Sequence, residues 1–125
     1  MSDLKPTGTK IKLGNKEYGL RFTLNAIDDI QEHFNIPISK LVDLFKDEKT
    51  QIKNLRFMLM TLINEDLDCR ADETGEKAEH LEERYIGRHI DAGNIRNLIG
   101  ATLKSFSSGT PEIGEDDDPN PESGQ

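Results

Sequence analysis

Hydrophobic residues follow two different rhythms along this chain, and the change between them comes early. Ile11 and Leu13 alternate with Lys10 and Lys12, and Tyr18, Leu20 and Phe22 alternate with Glu17, Gly19 and Arg21. A period of two marks strands with one face buried. Gly14-Asn15 lies between the runs. Glycine at the first central position suits a type II′ turn, whose twist matches that of the flanking strands. A two-residue turn there sets Ile11 opposite Tyr18 and Lys12 opposite Glu17. One face of the hairpin is then apolar and the other carries opposite charges. From Thr23 the period lengthens. Thr23 is placed to cap a helix through its hydroxyl, and Leu24, Ile27, Ile30 and Phe34 follow at helical spacing until Asn35 and Pro37 end it.

Further helices are expected downstream. Ser39 is read as the cap of a short helix carrying Leu41, Val42, Leu44 and Phe45, with Asp47-Glu48-Lys49 as a polar break. Thr50 is read as the cap of a central helix whose stripe is Ile52, Leu55, Leu59, Leu62 and Ile63. Phe57, Met58 and Met60 carry the apolar surface almost around that helix. A helix apolar on more than one side is central in a core or buried in an interface. These three residues have two readings: core, or a flexible Met-rich surface that accepts varied apolar helices. On the second reading they are the candidate partner-binding residues. Residues 68–75 are polar and read as a loop, with Thr74 capping a helix from about Glu76 that presents Ala78, Leu81 and Tyr85. Asp91 or Asn94 caps the last helix, which carries Ile95, Leu98, Ile99, Thr102, Leu103 and Phe106. The expected fold is therefore α+β and mostly helical: an N-terminal β-hairpin, four to five helices and a disordered acidic C-terminal tail. The expected organisation is a flexible segment over 1–8, a single domain over 9–106 and the tail over 107–125.

Charge sharpens the boundaries. The 125 residues carry a formal net charge of −8, from 24 acids and 16 bases. Six acids and no Lys or Arg fall in 107–125, so the rest is nearly balanced at 18 acids against 16 bases. A tail of Gly, Pro, Ser, Asp and Glu has too little apolar surface to offset the entropy of ordering it. A net-acidic chain without a basic cluster argues against nucleic-acid binding. The N-terminal segment is locally basic, with Lys5, Lys10, Lys12, Lys16 and Arg21 against Asp3 and Glu17, whereas 65–83 holds nine acids against Arg70 and Lys77. That split favours head-to-tail self-association. No apolar run is long enough to span a membrane, nothing has the character of a signal peptide, and the expected compartment is the cytosol.

No catalytic, cofactor or metal site is expected. His33, His80, His89 and Cys69 lack zinc-type spacing. Cys69 sits among acids, which raise a thiol pKa and make a poor nucleophile. Asp28 and Asp29 are adjacent, so on a helix they point in different directions. Asp116-Asp117-Asp118 lacks the Gly and terminal Glu of a calcium loop, and the glycines form no phosphate-binding pattern.

The order of strand, glycine turn, Lys16-Glu17-Tyr18-Gly19-Leu20-Arg21-Phe22-Thr23 and then an acidic amphipathic helix resembles the tail assembly chaperones of long-tailed phages and prophages, including the related protein of gene transfer agents. The central helix, opening near Leu55-Arg56 and closing near Asn64-Glu65-Asp66, is also similar, as is a late pair made of a short acidic helix and a longer closing one. The resemblance covers roughly 10–106 and rests on element order and apolar spacing; the polar stretch over 68–75 departs from the compact family pattern. It implies a chaperone that coats the tape-measure protein before the tail tube assembles, acting in the cytoplasm of the bacterial host and absent from the mature virion. It also implies contact with the tail tube protein where a frameshifted longer product exists. The alternative from another class is a small structural tube or connector component of the virion.

Overall fold

The computed structural model describes residues 9–109. The segment expected to be flexible, 1–8, and residues 110–125 of the expected tail lie outside the described residues. Strands β1 (Thr9–Leu13) and β2 (Lys16–Leu20) form an antiparallel hairpin. Helix α1 (Leu24–Phe34), a 3-10 helix (Ile38–Phe45), α2 (Gln51–Thr74), α3 (Glu83–Arg88) and α4 (Ile95–Gly109) follow. The expected fold class is the observed one.

The hairpin has the register its turn chemistry demands, with Ile11 opposite Tyr18 and Lys12 opposite Glu17. Gly14 takes φ +64°, which glycine adopts without steric cost. Ile11, Leu13 and Leu20 are buried on the apolar face, and Tyr18 is half-buried. Burial and the neighbouring Tyr85 hydroxyl push the Tyr18 phenol up to about 12. An unfolded tyrosine ionises near pH 10. Between about pH 10 and 12 the unfolded chain therefore releases a proton that the folded chain keeps, and stability must fall across that window. Tyr18→Phe is expected to lose this component of alkaline unfolding, as read by thermal melts at stepped pH. An unchanged alkaline slope would show that another group carries it.

Helix α2 organises the rest. Its Leu55, Met58, Leu59, Leu62 and Ile63 are fully buried, and it packs against β2, α1, the 3-10 helix, α3 and α4. The Thr23 cap is as expected: its hydroxyl accepts the Ala26 N–H at 3.1 Å and also donates to the Glu65 carboxylate, tying the start of α1 to α2. Phe22 and Phe106 meet edge to face at 5.4 Å, closing the last helix onto the end of the hairpin.

Several expectations are corrected. Ser39 caps nothing; the short helix is 3-10, opens after Pro37 without a side-chain cap, and takes its entry bond from Gln31, whose Oε1 accepts the Ile38 N–H at 2.8 Å. Thr50 holds the N-cap position of α2 without a side-chain capping bond; its hydroxyl donates backward to the Asp47 carbonyl instead. Leu24 is 72% exposed and Ile52 49%, so neither belongs to its core stripe. The loop expected over 68–75 is helix as far as Thr74, and the helix expected from Glu76 is absent: 75–82 is non-helical and α3 begins at Glu83. Arg70 pairs with Asp66 one turn earlier at 2.7 Å, the Thr74 hydroxyl donates to the Arg70 carbonyl, and Gly75 at φ +80° ends the helix. At the far end α4 runs on to Gly109, past the expected boundary at 106.

Among the described residues no helix is long and apolar enough to cross a membrane.

Candidate functional site

Positions two apart on a helix lie about 200° apart around its axis, and this separates the three residues singled out on α2. Met58 points inward and is fully buried, so it belongs to the core and not to a binding surface. Phe57 and Met60 are only half-buried and face an open groove of about 540 Å³ between α1 and α2. The ring of His33 lies flat on Phe57, with centroids 3.6 Å apart and planes within 6°. Phe34 meets the same ring edge-on at 5.4 Å. The floor is thus a fixed aromatic stack beside a flexible thioether, two surfaces suited to apolar side chains.

The rim has one sign of charge. Asp29 and Glu32 stand on the α1 side, Glu65 and Asp68 on the α2 side, and no Lys or Arg lines the groove. The segment 75–82 closes one end. Asn64 holds it by pairing with the peptide of Leu81: its amide donates to the carbonyl at 3.1 Å and its oxygen accepts the N–H at 2.8 Å. His80 adds a 2.7 Å contact to Asp68. Asp29, Glu32, His33 and His80 are site residues that sequence reasoning did not assign. Their signal was weak because they come from two separate stretches, α1 and 75–82, that only the fold brings together on α2.

On another face of α2, Asp66 is buried against the hairpin. Its carboxylate meets Arg21 at 2.9 and 3.0 Å and Arg70 at 2.7 Å. The neighbouring strand position is Gly19, where a Cβ would lie 2.6 Å from Asp66 Oδ2. Glycine is required here for close approach, so β2 presses directly on the carboxylate. The pairing also changes the charge picture. Arg21, counted with the basic N-terminal surface, and Asp66, counted with the acidic stretch, neutralise one another within one chain.

Burial, opposed by the Arg21 guanidinium and aided by the Glu65, Asp66 and Asp72 carboxylates, holds the Cys69 thiol above its ordinary pKa, and a raised pKa disfavours the nucleophilic thiolate. Among the described residues, no group of three or more His, Cys, Asp or Glu is placed to hold a metal ion. No protein-family model, curated protein or solved structure matches the chain.

Proposed function

We propose that this protein is a phage tail assembly chaperone and that the α1–α2 groove takes helical segments of the tape-measure protein. The observation that carries the reading is the groove itself: an aromatic and thioether floor, Phe57 and Met60, left half-exposed between α1 and α2. A tape-measure protein is long, helical and apolar over much of its length, so it needs shielding before the tail tube surrounds it. A chaperone for such a partner needs an adaptable apolar surface and modest affinity per copy. Many copies along one chain then supply the net strength. Phe57 and Met60 provide that surface, and the resemblance in the order of hairpin, acidic helix and central helix supports the same assignment.

Co-expression with a tape-measure protein tests the proposal. The expected result is a soluble partner that co-purifies with several copies of this chain. A partner that stays insoluble beside abundant folded chaperone contradicts it. Detection of this chain in purified particles at stoichiometric amounts would instead favour a tube or connector component.

A further inference from the structure

Helix α1 carries a row of charge that the fold does not use. It holds Asp28, Asp29 and Glu32 and neither Lys nor Arg. Asp29 and Glu32 stand one turn apart on the groove side, and like charges at that spacing destabilise a helix. Neither lies in the first turn, where the helix dipole would favour an acid. Both are exposed, and neither forms an ion pair among the described residues. Across the groove, Glu65 and Asp68 repeat the same spacing on α2. Those two are engaged within the chain, Glu65 by the Thr23 hydroxyl and Asp68 by His80. The α1 carboxylates are the pair of the rim left without a counter-charge.

The shape of the groove limits what can neutralise them. Along α2 it runs from Phe57 to Asp68, which is about 16 Å or three helical turns. A trough of that length between two packed helices fits a third helix, whose apolar stripe meets the floor at spacings of three and four. The two carboxylate rows then lie on either side of that stripe. Lysine and arginine suit such a position, because their stems cover apolar surface while their charged heads reach outward. Here the stems would lie over Phe57 and Met60 and the heads would meet the rim. We infer, on the proposed reading of the groove as a site for partner helices, that its occupant is an amphipathic helix whose apolar stripe is flanked on both sides by lysine or arginine. Asp29 and Glu32 select that helix against one flanked by acids. The same rim repels this chain's own acidic end, which has six acids and no Lys or Arg over 107–125.

Three synthetic peptides test this on the full-length protein, by fluorescence anisotropy of the labelled peptide. Two are helical, share one leucine stripe and differ only in its flanks, lysine in one and glutamate in the other. The third has the composition of the lysine peptide with the stripe scrambled. The lysine peptide is expected to bind at least about tenfold tighter than the glutamate peptide, a difference of about 1.4 kcal/mol, and raised salt is expected to shrink that preference. The scrambled peptide is expected not to bind. Asp29→Asn/Glu32→Gln, at two exposed positions, is expected to cut the preference at least about threefold. Glu73→Gln/Glu76→Gln removes the same charge off the groove and is expected to leave the preference unchanged. Circular dichroism verifies the fold, and Glu32→Gln alone gives the result if the double groove variant does not fold. Equal affinity for the two flanked peptides overturns the inference, as does a lysine peptide that does not bind. Tight binding of the scrambled peptide, or an equal loss in the two double variants, overturns it as well, since bulk charge then accounts for the binding. Equal binding of both flanked peptides that Met60→Glu abolishes removes the charge selection and leaves the proposed function standing. Charge-selective peptide binding by a chain that fails to capture a tape-measure protein does the reverse.

Discussion

Met58→Glu is expected to abolish folding, while Met60→Glu leaves the domain folded. The two methionines are separated by one residue, yet Met58 is fully buried among Leu55, Leu59 and Leu62, and Met60 lies at the groove. A carboxyl forced into the core loses its hydration without gaining a partner and also disrupts the packing. The cost is about 4–5 kcal/mol or more, against a total stability of about 5–15 kcal/mol for a domain of this kind. At position 60 the carboxyl reaches solvent along the groove, where neighbouring acids cost it only a screened repulsion. Far-UV circular dichroism and urea unfolding separate the two outcomes. Equal loss of structure in both variants would mean that Met60 is core as well and that the groove is not a free surface.

Asp66→Ala is the second large effect. Removing a buried carboxylate that bridges two arginines leaves cations facing a cavity and unties α2 from β2. Loss of one member of a fully buried pair costs 3–5 kcal/mol. Here the Asp66 side chain is 7% exposed, but those of Arg21 and Arg70 are 36% and 50% exposed and recover hydration. The expected loss is therefore smaller, about 2–3 kcal/mol. Glu65→Ala, on the next residue, forfeits only the contact with Thr23 and is expected to cost about 1 kcal/mol. Urea denaturation of the two variants checks the ranking. A mild Asp66→Ala would show that the arginine bridge is not what fastens the helix end to the hairpin.

These two sites also show where the sequence was readable. The hairpin register followed from local information, because Gly14-Asn15 admits few turns and strict alternation allows one pairing that buries Ile11, Leu13 and Leu20 together. The Thr23 cap and the stripe from Leu55 to Ile63 were legible for the same reason: each is a short-range pattern with one favourable outcome. The end of α2 was not. Residues beyond Asp66 are polar because they face solvent, and polarity alone does not distinguish an exposed helix from a loop. What extends the helix is the Asp66–Arg70 pair and the contact with β2, both invisible until the hairpin is placed. Asp66 itself had a signal, since it falls four residues after Leu62 on the buried face. A carboxylate in an apolar stripe anticipates a buried partner, and Arg21 and Arg70 supply it.

The groove was half legible. Phe57 and Met60 stood out as surplus apolar residues on α2, and Met58 was grouped with them because sequence spacing alone left core and surface open for all three. The carboxylate rim was hidden because its members lie on α1 and α2, more than thirty residues apart in sequence. Asp29 looked unremarkable beside Asp28, and only the packing of α1 on α2 turns it toward Glu65 and Asp68. The one-signed rim also bears on how the groove stays open: repulsion between like rims disfavours face-to-face pairing of two grooves.

The central claim is that this groove captures the tape-measure protein. The most direct test is co-purification of that protein with wild type and with Met60→Glu expressed side by side, reading copies bound per partner. The account expects several wild-type copies on a soluble partner and near-complete loss with a variant that circular dichroism shows to be folded. Equal recovery of the partner with wild type and folded Met60→Glu would contradict it.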